Sequence, residues 1–142
     1  METSRIRDRP VVILDTSVMM YAIQERVDLL EGIKEMLGNV DFLVTEEVVK
    51  EISELSRGRG KKGELARVSE KVYLSKIDAV STGEKSADLS ILSLSENISR
   101  ERRVFVATAD MKLKKELRNR GISVIFPRNR KKLELDPQIP IG

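Results

Sequence analysis

Residues 11–17 read Val-Val-Ile-Leu-Asp-Thr-Ser, and this stretch decides the fold. Four apolar residues in an unbroken run suit a short strand buried on both faces, the signature of a parallel sheet. Asp15 then stands where such a strand ends. Outward from it, strand and helix periods alternate. Val27, Leu30, Ile33 and Leu37 recur at helical spacing and stop at Gly38, a natural helix end. Residues 40–44 (VDFLV) read as a second strand. Val48, Val49, Ile52 and Leu55 mark the next helix, with Glu46 and Glu47 at its positive end.

The segment RGRGKKG, 57–63, reads as a glycine-broken basic loop before a helix carrying Leu65, Val68 and Val72. Residues 77–80 form a short third strand. Ser81 and Glu84 have capping-box spacing, which predicts a helix opening there with Ala87, Ile91, Leu94 and Ile98 inward. Val104–Ala107 is strand four, Met111, Leu113 and Leu117 mark a helix ending at Gly121, and residues 122–126 are strand five. Alternation of this kind predicts an α/β fold. The expected form is a single three-layer domain whose central parallel sheet has about five strands, in the order 3-2-1-4-5, flanked by helices. The domain is expected to span 1–132, leaving 133–142 as a C-terminal tail.

Composition narrows the chemistry. The 142 residues include no histidine, cysteine or tryptophan. That removes Ser-His-Asp triads, thiolate nucleophiles, zinc fingers and haem ligation. A metal would have to be held mainly by oxygen, which favours Mg²⁺, Mn²⁺ or Ca²⁺. No stretch reaches the roughly 20 apolar residues of a membrane span, and METSRIRDRP lacks the apolar core of a signal peptide. The expectation is a cytoplasmic protein with no membrane association. Abundant Lys, Arg and Glu with few thermolabile residues suggests a thermophilic source.

The net charge of +3 averages two unlike halves. Ten acids face three bases across 11–56, whereas 20 bases face nine acids across 57–132. Basic residues crowd into 57–62, 100–103 and 112–132. Clustering of this kind is the electrostatic footprint of a polyanionic partner.

In open parallel sheets the functional crevice lies beyond the carboxyl ends of the strands. The residues placed there are acids. Asp15 follows the first strand and Asp110 the fourth, while Glu51 and Asp88 lie in the helices after strands two and three. Each has an ordinary alternative: Asp110 and Asp15 could cap the segments that follow, and Glu51 could be solvated, with Glu47 its rival. Glu84 shares a helical face with Asp88. Packed together, four carboxylates repel, and a divalent cation with oxygen ligands removes the conflict and can activate water.

Asp15-Thr16-Ser17 after an apolar strand, Val48-Val49-Lys50-Glu51-Ile52, Ala87-Asp88 and Thr108-Ala109-Asp110 together resemble the PIN-domain family of metal-dependent ribonucleases. The likeness runs from about residue 11 to 132, and the segment 108–126 is similar to archaeal members akin to ribosomal-RNA-processing nucleases. Ser17 departs from the pattern, since many relatives carry Asn there. The resemblance implies an endoribonuclease that hydrolyses RNA phosphodiester bonds with Mg²⁺ or Mn²⁺. Asp15, Asp88 and Asp110 would be ligands, and Glu51 a further ligand or a base. Ser17 and Thr108 would orient them. Arg57, Arg59, Lys61, Lys62, Lys112, Lys114 and Lys115 are the candidate RNA contacts. With only five aromatics, most at core-like positions, base stacking is expected to contribute little. The resemblance also suggests a homodimer.

Other readings keep the fold but change the role. One is the toxin of a toxin–antitoxin pair, with an antitoxin as partner. Another is a non-catalytic RNA-binding protein with a ribosome-assembly partner. A phospho-acceptor receiver would want further acids beside Asp15, and a haloacid-dehalogenase-like phosphatase would want Asp-x-Asp; Asp15-Thr16-Ser17 supplies neither.

Overall fold

β1, Val11–Leu14, is buried at all four positions, and β4, Val104–Ala107, lies parallel beside it and is equally buried. The computed structural model describes residues 9–129 and 132–138. Around the central pair run β2 (Asp41–Thr45), β3 (Asp78–Val80) and β5 (Ser123–Arg128), in the order β3-β2-β1-β4-β5. These five strands are parallel throughout, as the sequence predicts. Strands buried on both faces can be continuous apolar runs, which is why VVIL and VFVA show no alternation.

A sixth strand, β6 (Lys132–Asp136), adds to β5 antiparallel. The segment expected to be a tail from 133 is therefore sheet edge at its start. Its Leu133 and Leu135 pack against the core while Glu134 and Asp136 alternate with them, the period-2 pattern of a half-buried strand. Residues 139–142 of the expected tail, and Arg130 and Lys131 of the basic stretch, lie outside the described residues.

The helices depart from the sequence reading in three places. Two helices, not one, join β1 to β2: α1 (Thr16–Glu25) and α2 (Leu29–Leu37). Arg26, with a left-handed backbone (φ 58°), ends α1 and lets Asp28 cap α2 through Glu31 N–H. After β2 and α3 (Glu46–Ser56), the basic segment is not an open loop, because α4 (Gly60–Ser69) begins inside it. A Cβ on Gly63 would stand 2.1 Å from the Gly58 carbonyl oxygen, so glycine is what lets α3 and α4 turn this tightly. Arg67 closes the turn by donating to the carbonyls of Ser56 and Gly58. A wider π-type turn, Glu70–Leu74, follows, and it carries Tyr73 into the core while Val72 faces solvent.

Finally, α5 (Ala87–Ser99) begins later than the capping box predicts. Ser86, not Ser81, accepts from Leu89 N–H, and Glu84 N–H bonds to Thr82. α6 (Met111–Asn119) then returns the chain to β5. Among the described residues no helix is long and apolar enough to cross a membrane.

Candidate active site

The carboxyl ends of β1 and β4 bring Asp15 and Thr108 together. Asp15 is only 3% exposed. Its Oδ2 accepts from the Ser17 hydroxyl at 2.6 Å and from the Thr108 hydroxyl at 2.7 Å. Those hydroxyls are themselves acceptors: Ala109 N–H donates to Ser17 Oγ at 2.9 Å, and Asp110 N–H to Thr108 Oγ1 at 3.0 Å. A hydroxyl carries one proton, so both are committed to Oδ2. The 3.1 Å approach of Ser17 Oγ to Thr108 Oγ1 is then a contact without a shared proton. Two backbone amides thus act through two hydroxyls to hold one oxygen of Asp15. The network leaves Oδ1 as the oxygen that can serve a ligand.

Asp15 lines a cleft of about 630 Å³ together with Ser17, Glu51, Asp88 and Asp110. The elements explain the convergence. Glu51 stands one turn beyond Glu47 on α3, Asp88 is in the first turn of α5, and Asp110 precedes α6. Neither Glu47 nor Glu84 is among the cleft residues. Burial pushes the Asp15 carboxyl above its ordinary range; the Ser17 and Thr108 hydrogen bonds oppose the rise, and Asp88 and Glu51 add to it. Asp88 is also raised, by burial and then by Asp110 and Glu51, with Lys112 working the other way. The four acids therefore sense one another.

Asp110 has a second role, since its Oδ1 caps α6 by accepting from Lys112 N–H and Leu113 N–H. The ordinary reading of this residue and the functional one coexist.

The donor set is all oxygen and strongly anionic, which fits a hard divalent cation. Among the described residues no three acids are gathered tightly enough to enclose an ion as they stand. Thr16 also lines the cleft, and its buried Oγ1 has no hydrogen-bond partner. The residues present suit such a group by chemistry and by their shared cleft.

The basic candidates separate. Lys61 and Lys62 line the same cleft as the acids. Lys112 lies near enough to Asp88 to lower its pKa. Arg57, Arg59 and Lys115 are exposed but outside the cleft lining. Lys114 is engaged within the fold: its ammonium sits 3.0 Å from Asp136 and 4.2 Å from the Phe126 ring centroid, tying α6 to the sheet edge. Met20, Tyr21, Gln24, Leu55 and Leu65 also line the cleft and were not anticipated. Three of them lie on α1, a helix the sequence reading omitted although residues 16–25 contain no breaker.

A doubly wound parallel sheet with a carboxylate-lined cleft at its strand ends defines the class. The family model for the PIN-like domain matches residues 12–130, and the chain belongs to that family. Among solved structures it is similar to the PIN domain endonuclease Utp24, with a TM-score of 0.72 and 22% identity over 93% of this chain and 95% of that one. No curated protein sequence matches it.

Proposed function

We propose that the protein is an endoribonuclease that uses Mg²⁺ or Mn²⁺ to hydrolyse RNA phosphodiester bonds, acting in ribosomal-RNA processing. The observation that carries the reading is the Asp15–Ser17–Thr108 network set among three further acids in one cleft. Membership of the PIN-like family and similarity to the endonuclease Utp24 support it.

Asp15, Asp88 and Asp110 would hold the cation. Bound there, it supplies positive charge against the phosphodiester and lowers the pKa of water. Ser17 and Thr108 keep Asp15 Oδ2 occupied, so that Oδ1 is presented in one orientation. Glu51 is exposed within the cleft and can accept the proton of the attacking water. Lys61 and Lys62 offset the repulsion between the acids and an arriving phosphate. With no histidine in the chain, the leaving oxygen would be stabilised by the bound cation or protonated by solvent.

The test is incubation with structured and single-stranded RNA, with Mn²⁺ or with EDTA, beside Asp15→Asn and Asp110→Asn. Internal cleavage that requires Mn²⁺ and disappears in both variants supports the reading. Cleavage that survives EDTA or both substitutions sinks it. Ribosomal-RNA precursors should be cut at few, discrete positions.

A further inference from the structure

The cleft continues past the acids, and its character changes along α1. Ser17, Tyr21 and Gln24 occupy one helical face at i, i+4 and i+7, and all three line the cleft. Ser17 stands at the acid end; Gln24 lies roughly 10 Å further along the helix axis, at 1.5 Å per residue. The apolar part of the lining is Met20 and Tyr21 from α1, Leu55 from α3 and Leu65 from α4. Lys61 and Lys62 are part of the same lining.

The chain has five aromatic residues, and their distribution is uneven. Phe105 and Tyr73 are buried in the core, and Phe42 and Phe126 pack against it. Tyr21 is the one that lines the cleft, half-buried, with part of its surface accessible. A flat π surface beside apolar walls, with lysines close by, matches what a nucleobase and its phosphate require. Gln24 is exposed and offers both a carbonyl acceptor and an amide donor, the pair needed to read a base edge.

We propose that this part of the cleft is a nucleobase slot: one unpaired base of the RNA stacks on Tyr21 between Met20, Leu55 and Leu65, Gln24 bonds to its edge, and Lys61 and Lys62 hold the adjoining phosphate. The slot rests on the nuclease reading for its substrate and makes that substrate locally single-stranded. In a duplex both faces of each base are covered by neighbours, so only an unstacked nucleotide can present a face to Tyr21. Base stacking is then a source of preference here, contrary to the expectation from aromatic content.

The chain has no tryptophan and two tyrosines, so Tyr21 can report directly. In an Asp15→Asn, Tyr73→Phe protein, tyrosine emission is followed during titration with six-nucleotide oligo-U, oligo-A and oligo-C RNA and with a 12-base-pair RNA duplex. Saturable quenching by a single strand and none by the duplex is expected. Adding Gln24→Ala should bring the three single-strand affinities to within twofold of one another. In the cleavage assay, Tyr21→Ala should raise KM roughly tenfold and Tyr21→Phe should restore it. Absence of quenching, with KM unchanged in Tyr21→Ala while the wild type still cleaves, overturns the slot and leaves the nuclease standing. Quenching by single strands in a protein that never cleaves overturns the nuclease and leaves the slot standing as a nucleotide-binding site.

Discussion

The Thr108 hydroxyl donates to Asp15 Oδ2 at 2.7 Å, joining residues 93 apart in sequence at the ends of two adjacent central strands. Thr108→Val keeps the shape and removes the donor, which leaves the Asp110 amide and one site on Asp15 unpaired. A loss of about 1–3 kcal/mol in stability is expected by denaturant titration. Mn²⁺ affinity and kcat/KM should fall roughly 10- to 100-fold, as for other supports of metal ligands, and Thr108→Ser should recover most of both. Ser17→Ala should behave alike. Rates within twofold of wild type in both variants contradict the positioning role.

Asp110 caps α6 and also faces the cleft, and two substitutions separate these duties. Asparagine caps as well as aspartate, whereas alanine loses about 1 kcal/mol. Asp110→Asn should therefore keep the wild-type Tm and lose cleavage, while Asp110→Ala loses both. Full activity in Asp110→Asn assigns the residue to capping alone.

The raised Asp15 carboxyl sets a pH dependence in metal-free protein. A carboxyl whose folded pKa lies above its unfolded value of about 3.9 contributes stability below that value. The contribution is lost as pH rises through the folded pKa. The charged form of Asp15 is thus the destabilising one, and Asp15→Asn should raise the Tm of EDTA-treated protein by a few degrees while abolishing cleavage. The gap should close near pH 3. Mn²⁺ should raise the wild-type Tm at pH 7.5 and have little effect on Asp15→Asn.

Asp41 behaves in the opposite sense. Burial pushes its carboxyl up, but hydrogen bonds and charge from Arg102 and Arg9 prevail and hold it below the ordinary range. It contributes stability above the unfolded pKa, and this is lost as pH falls through the depressed folded value. Arg102→Met should lower Tm at pH 7, and the difference should shrink as pH falls through the acid range. A constant difference across that range argues that Arg102 acts only through its bonds to the Arg9 carbonyl.

The tight α3–α4 turn delivers Lys61 and Lys62 to the cleft. Gly63→Ala places a carbon against the Gly58 carbonyl, a backbone atom that cannot swing aside. A destabilisation of about 1–3 kcal/mol is expected, with a rise in KM as the turn shifts. Lys61→Ala and Lys62→Ala should instead leave Tm within a degree. Each should lower the slope of log affinity against log salt by about 0.7, the single-strand value per phosphate contact. An unchanged slope places RNA elsewhere on the surface.

Local pattern was enough to read the parallel order, because strands buried on both faces must be apolar runs and each crossover must drop a helix onto the sheet. It was also enough to place Asp15 and Asp110 after the two central strands and Glu51 and Asp88 in the helices that follow β2 and β3, and to restrict a metal site to oxygen donors once histidine and cysteine were absent. Capping was less legible: Ser81 and Glu84 have capping-box spacing, but the helix opens five residues later at Ser86, where α5 packs on β2. There Ser90 donates to Thr45 at 2.7 Å. Residues 133–142 read as a tail, although Leu133 and Leu135 alternate with Glu134 and Asp136; antiparallel pairing with the neighbouring β5 is what makes the start of this segment an edge strand.

By itself, then, the sequence determined the fold class and the identities of the acids, since both follow from periodicity and from which side chains exist. The tertiary structure alone decided how they are used. Asp15 is oriented by a hydroxyl 93 positions away. Lys114 is held by Asp136 while Lys61 and Lys62 face the cleft. Tyr21 is left free of the core. Charge and composition are properties of residues, whereas burial, pairing and direction arise only when distant segments pack together.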